Sequence, residues 1–149
     1  MTTMSTVIRD KVQAWLKDDG WTLGEQSVLE NAWAFIVEDN TGRKIIVEQK
    51  PNREDELIIH SSIVVDEVTA QKIGELPEGE RNELIWDLRF ELLKTELEFQ
   101  GVQFPLRQVQ VGERIFIDAL TKDAFLRRTA NIRRGILAVM WVLGRKFSR

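Results

Sequence analysis

The stretch Leu84 to Phe99, LIWDLRFELLKTELEF, constrains this chain most, because it reads as a helix with apolar side chains on two sides. Leu84, Leu88 and Leu92 recur at helical spacing with Ile85 beside them, while Trp86, Phe90, Leu93 and Leu97 form a second stripe set off by Arg89 and Glu96. A helix of this kind needs two apolar partners. Either it lies between a sheet and another helix of the same subunit, or one stripe faces a second copy of the chain. On the second alternative Trp86, Phe90, Leu93 and Leu97 are the expected dimer contact.

The 149 residues are enough for one domain with a real core, 1–149. Cysteine is absent, which excludes disulfides, thiolate catalysis and Cys-ligated metal centres, and fits a reducing compartment. The opening MTTMSTVIRDKVQAWLKDDG has neither a signal-peptide core nor a small-residue cleavage site, so a cytoplasmic protein is expected. The longest apolar run, Ile136 to Leu143, is far short of the roughly 20 residues of a membrane span, and no transmembrane segment is expected. Formal charge is −3, yet Lys122 to Arg149 carries eight Lys or Arg against Asp123 alone, so that segment is +7 and the first 121 residues are −10. Such a division permits pairing within the chain, across a dimer, or with an anionic partner.

In chain order, a first helix is expected from Thr6 to Asp18 behind Ser5, with Ile8, Val12, Trp15 and Leu16 on one face and Gly20 as its stop. A connector holding Trp21 and Leu23 follows. Alternation then predicts strands at Ala32 to Val37, Arg43 to Gln49 and Leu57 to Val65, joined by the turn residues Asp39 to Gly42 and by a polar Pro-containing connection, an antiparallel meander. One face of these strands carries Ala34, Ile36, Ile46, Ile58, His60, Ser62 and Val64, a half-apolar composition. Asp66 is placed to cap a short helix through Ile73, and Leu76-Pro77-Glu78-Gly79 leads into the central helix. After Gly101, Val102 to Leu106 and Arg107 to Val111 read as extended, Gly112-Glu113 as a turn, and Arg114 to Asp118 as the return strand. Thr121 is the expected cap of a last helix to about Gly144, with Phe125, Thr129, Ile132, Ile136, Val139, Met140 and Leu143 on one stripe. The order α-βββ-(short α)-α-ββ-α defines an α+β domain with an antiparallel sheet packed by helices.

That order, in a small acidic protein, resembles the type III secretion chaperone-like superfamily, including its YbjN-like branch of bacterial proteins without established function. The resemblance covers nearly the whole chain and rests on element order and the central helix. It implies a homodimer joined by the central helix and an outer sheet face that receives an extended stretch of a partner protein. On this chain the face would offer Ala34, Ile36, Ile46, Ile58 and Val64. The basic last helix is a departure that the resemblance does not account for.

No catalytic constellation emerges. His60 is the single histidine, too few for a metal site, and its neighbours Ser61 and Ser62 alternate in direction along a strand. The acidic runs Glu54 to Glu56 and Glu75 to Glu83 lack calcium-loop spacing, and no GxGxxG or P-loop pattern occurs. The expected function is a non-enzymatic, homodimeric, chaperone-like domain without cofactor or metal that holds an unidentified protein segment. The alternative is a nucleic-acid or anionic-surface binder using Arg127, Arg128, Arg133 and Arg134 as phosphate contacts. Against it stand the acidic remainder of the chain, which repels a polyanion, and the lack of a stacking platform beyond Trp141.

Overall fold

A computed structural model describes residues 4–29 and 32–147. The Arg149 counted in the basic segment lies outside them. The elements are α1 (Met4–Asp18), β1 (Thr22–Val28), β2 (Trp33–Glu38), β3 (Lys44–Gln49), β4 (Glu56–Val64), α2 (Glu67–Glu75), α3 (Glu78–Lys94), β5 (Glu98–Gln100), β6 (Gln108–Phe116), a 3₁₀ turn (Ile117–Ala119) and α4 (Lys122–Phe147). The six strands form one sheet in the order β1-β2-β3-β4-β6-β5. The protein is α+β, as its element order predicts.

The chain divides into two compact units, one comprising the residues up to His60 with Glu113–Ala130, the other Ser61–Gly112 with the residues from Asn131 onward. In the first unit, Ile8, Val12 and Leu16 of α1 are buried, as are Trp33, Phe35, Val37, Ile45, Val47, Leu57 and Ile59 of the meander. Trp33 and Phe35 stack at 5.5 Å, and Trp15 meets Phe125 at 5.9 Å. The polar entry to this core is satisfied in sequence. Ser5 donates to Oε1 of the buried Gln49 at 2.6 Å, Gln49 donates to the Glu54 carbonyl at 3.1 Å, and Trp33 Nε1 donates to the Ser5 carbonyl at 3.1 Å.

The strand Thr22–Val28 replaces the expected connector. Its residues are almost all exposed, so it lacks the apolar alternation by which strands are read, and only its ladder to β2 defines it. The register shifts between Leu23 and Gln26, a bulge at the sheet edge that holds Gly24 and Glu25. The connection Asp39–Arg43 is built by Asp39, whose Oδ1 accepts from the Thr41 and Arg43 amides at 2.9 and 3.0 Å, with Gly42 at φ +86°.

In the second unit the buried residues include Ile73, Leu84, Ile85, Leu88, Leu92, Leu97, Val109, Val111, Ile132, Ile136 and Val139. Asp66 caps α2 as expected. Its carboxylate accepts from the Thr69 amide at 2.7 Å and the Thr69 hydroxyl at 3.1 Å, and the amide bond first and the hydroxyl second hold its pKa below the ordinary carboxylate value. The cap therefore supports α2 above the usual carboxylate range and weakens as pH falls through the lowered value.

Two boundaries differ from expectation. The central helix stops at Lys94, not Phe99, because Thr95 closes the last turn through its amide and hydroxyl on the Leu92 carbonyl and Glu96 turns to φ +65°. No turn forms at Gly112-Glu113: β6 runs through it and pairs with β5, Phe99 opposite Val111. The buried residues Val109, Val111 and Ile115 keep one parity across Gly112, which a turn would have reversed. The chain reverses instead after β5, where Gly101 adopts φ +86° beside the Gln108 carbonyl. Phe104-Pro105 is cis.

The last helix starts behind Thr121, whose hydroxyl accepts from the Ala124 amide at 3.1 Å, and continues past Gly144 to Phe147. Its buried stripe is Phe125, Thr129, Ile132, Ile136, Val139 and Val142. Met140 is exposed and leaves the expected stripe, Leu143 is half-buried, and Val142, three residues after Val139, is buried instead.

Candidate functional site

Helix α3 presents the two faces read from its sequence. Leu84, Ile85, Leu88 and Leu92 are buried, whereas Trp86, Phe90 and Leu93 are 52%, 56% and 64% exposed. The exposed aromatics touch one another and Arg89. Trp86 and Phe90 meet at 5.8 Å between ring centroids, and the Arg89 guanidinium sits 4.7 Å from the Trp86 ring while donating at 3.0 Å to the Val102 carbonyl. The Arg89 side chain thus bridges the Trp86 indole and the backbone at Val102. Leu97 does not belong to it. The turn at Thr95 and Glu96 carries it off the helix into the core, 5% exposed, next to the surface of α4 at Gly135, where an added Cβ would lie 2.5 Å from Leu97 Cδ1.

The outer face of β1–β4 is a second surface. Ala34, Ile36, Ile46, Ile58 and His60 are half-buried, each between fully buried neighbours along its strand. Register places Ile36 opposite Ile46, Ala34 opposite Glu48, Ile46 opposite His60 and Glu48 opposite Ile58. An open groove is lined there by Glu25, Gln26, Ser27, Ala34, Ile36, Ile46, Glu48 and His60. Val64, grouped with these by alternation, lines a different depression, with Val65, Asp66, Lys72, Met140, Leu143 and Phe147, and is 73% exposed. Nε2 of His60 lies 3.4 Å from Oε1 of Glu48, an ion-pair separation rather than a well-formed hydrogen bond.

The carboxylates of this groove are not among the residues expected from apolar alternation, although Glu48 shares the strand parity of Ile46. Glu56 belongs to the acidic run Glu54 to Glu56. Glu56 is buried, 2.9 Å from Arg53 and 3.8 Å from Arg114.

The basic last helix is engaged with acidic residues of the same chain. Lys122 pairs with Asp18 at 3.1 Å, Arg127 with Asp123 at 2.9 Å and Arg128 with Glu113 at 2.8 Å. Arg145 and Lys146 approach Asp87 and Glu80 at 4.0 and 3.8 Å. Arg133 is partly buried, and Arg134 is exposed. The opposed charges of the two chain segments thus meet within the molecule. The four arginines do not present one free cationic row. Among the described residues no group of three or more His, Asp or Glu is placed to hold a metal, and no helix is long and apolar enough to cross a membrane.

Fold and surfaces together define an α+β protein with an exposed apolar helix face and a half-apolar sheet face. The family described as uncharacterized conserved protein (DUF2299) matches residues 8–143, and the chain belongs to it. The crystal structure of an uncharacterized protein from Methanothermobacter thermautotrophicus is similar at a TM-score of 0.85 and 27% identity, covering 94% of this chain and 99% of that one. A chain in the crystal structure of the ExsC-ExsE complex is similar at a TM-score of 0.58 and 18% identity, covering 95% of each, which shows a shared fold. No curated relative matches the chain by sequence. The YbjN-like branch rests on the element order and the central helix read from the sequence.

Proposed function

We propose that this protein is a non-enzymatic, chaperone-like binding module that pairs with a second copy of itself through the outer face of α3 and holds an extended segment of another protein. The observation that carries the reading is the exposure of Trp86, Phe90 and Leu93 together on a helix whose opposite face is buried. Contiguous apolar surface of this kind marks contact sites more often than free solvent. A two-fold contact needs one self-complementary patch, and a single helix face meets that need. The fold shared with a chain of a two-protein complex supports a protein partner.

The absence of cysteine from the sequence makes a direct test possible. Phe90, between Trp86 and Leu93, should lie nearest the two-fold axis. Phe90→Cys should therefore cross-link to its own copy under mild oxidation, which requires Cα atoms within about 7 Å. Ser62→Cys, on an exposed strand position, is the control. Equal cross-linking of both variants, or of neither, contradicts the proposed contact.

A further inference from the structure

The outer face of β1–β4 combines apolar contact with two carboxylates, Glu25 and Glu48, the second 3.4 Å from His60 Nε2. Among the described residues the groove is lined by Glu25, Glu48 and His60 and by no Lys or Arg. Lys50 reaches Glu48 only at 4.0 Å from an exposed position, a separation at which a surface pair contributes little. The charge is arranged around a defined apolar pair. Ile36 and Ile46 face each other across β2 and β3, and two residues along these strands the facing pair is Ala34 and Glu48. Residues two apart on a strand are separated by about 6.6 Å, which is also the separation of residues two apart in any extended chain lying along them.

We propose that this face recognises an extended segment of a partner protein in which Lys or Arg stands two positions from an apolar residue. The apolar side chain rests on Ile36 and Ile46, and the cation reaches Glu48 over Ala34. Glu25, from the bulge of β1, adds negative charge at the edge of the same groove. Spacing sets the register, and charge sets the class of segment. A polyanion is disfavoured on this face. The inference rests on the reading of the protein as a protein-binding module and supplies the chemistry of its client.

The test uses the full chain and labelled peptides of Leu-Ser-Arg-Ser, Leu-Ser-Gln-Ser and Leu-Ser-Glu-Ser repeats, followed by fluorescence anisotropy. The Arg peptide should bind most tightly and the Glu peptide most weakly. Glu48→Gln should weaken the Arg peptide about fivefold, the upper range for a solvent-accessible pair, and leave the Gln peptide unchanged. Glu48→Lys should reverse the order of the Arg and Glu peptides. Should Glu48→Lys not fold, the Glu48→Gln comparison decides alone. Equal binding of Arg and Glu peptides overturns the inference, as does binding of none, or an Arg-peptide affinity untouched by Glu48→Gln in protein of wild-type melting temperature. Loss of self-association in a folded Glu48→Lys protein would place a second copy on this face and equally overturn it. Failure of peptide binding with α3 cross-linking intact removes this inference alone, whereas loss of cross-linking with peptide selectivity retained removes only the α3 contact.

Discussion

Phe90→Asp should leave the individual chain folded and abolish its self-association. The side chain is 56% exposed, so its replacement belongs with surface substitutions, which change stability by about 0.5 kcal/mol. In an interface where Phe90 packs beside Trp86, the same substitution removes a central aromatic and buries a carboxylate. Losses of about 2 to 4 kcal/mol are usual for such anchors, a rise of roughly 30- to 1000-fold in the dissociation constant. The separation of the two effects is the informative part. A core role for Phe90 would lower the melting temperature and the dimer together, while the contact role lowers only the dimer.

Gly101→Ala should be the most damaging glycine substitution for the fold. Gly101 sits at φ +86°, and an added Cβ would lie 2.1 Å from the Gln108 carbonyl oxygen, backbone that has no room to withdraw without breaking the β5–β6 ladder. Gly20 provides the comparison, since it has φ +89° and nothing within 4 Å of the same atom. Conformational strain alone, as at Gly20→Ala, costs about 1 kcal/mol. Gly101→Ala adds a steric collision and should cost about 3 kcal/mol or more, read as a drop in melting temperature several times that of Gly20→Ala. Equal melting of the two variants would show that the turn relaxes freely.

Legibility in the sequence followed the physical strength of each signal. The meander and the inner stripe of α3 were readable because each buries one regular face, so apolar spacing and structure coincide. Asp66 and Thr121 were readable as caps because their side chains meet local backbone amides. The strand Thr22–Val28 was hidden by its exposure, since an edge strand is defined by hydrogen bonds to its neighbour and not by the side chains TLGEQSV. Leu97 was misplaced because helical spacing continues in the sequence past the point where Thr95 and Glu96 end the helix. The carboxylates of the sheet groove carry no apolar signal, although Glu48 shares the parity of Ile46. The pairing of α4 charges with Asp18, Glu113, Asp87 and Glu80 depends on tertiary neighbours that spacing along one helix does not reveal.

Sedimentation of the unmodified protein over a range of concentrations tests the α3 contact most directly. The chain has a mass of 17.3 kDa, and the proposed contact predicts a species of twice that mass at tens of micromolar, dissociating on dilution and absent in Phe90→Asp. A single species of 17.3 kDa at every concentration, or a dimer that persists unchanged in Phe90→Asp, would contradict it.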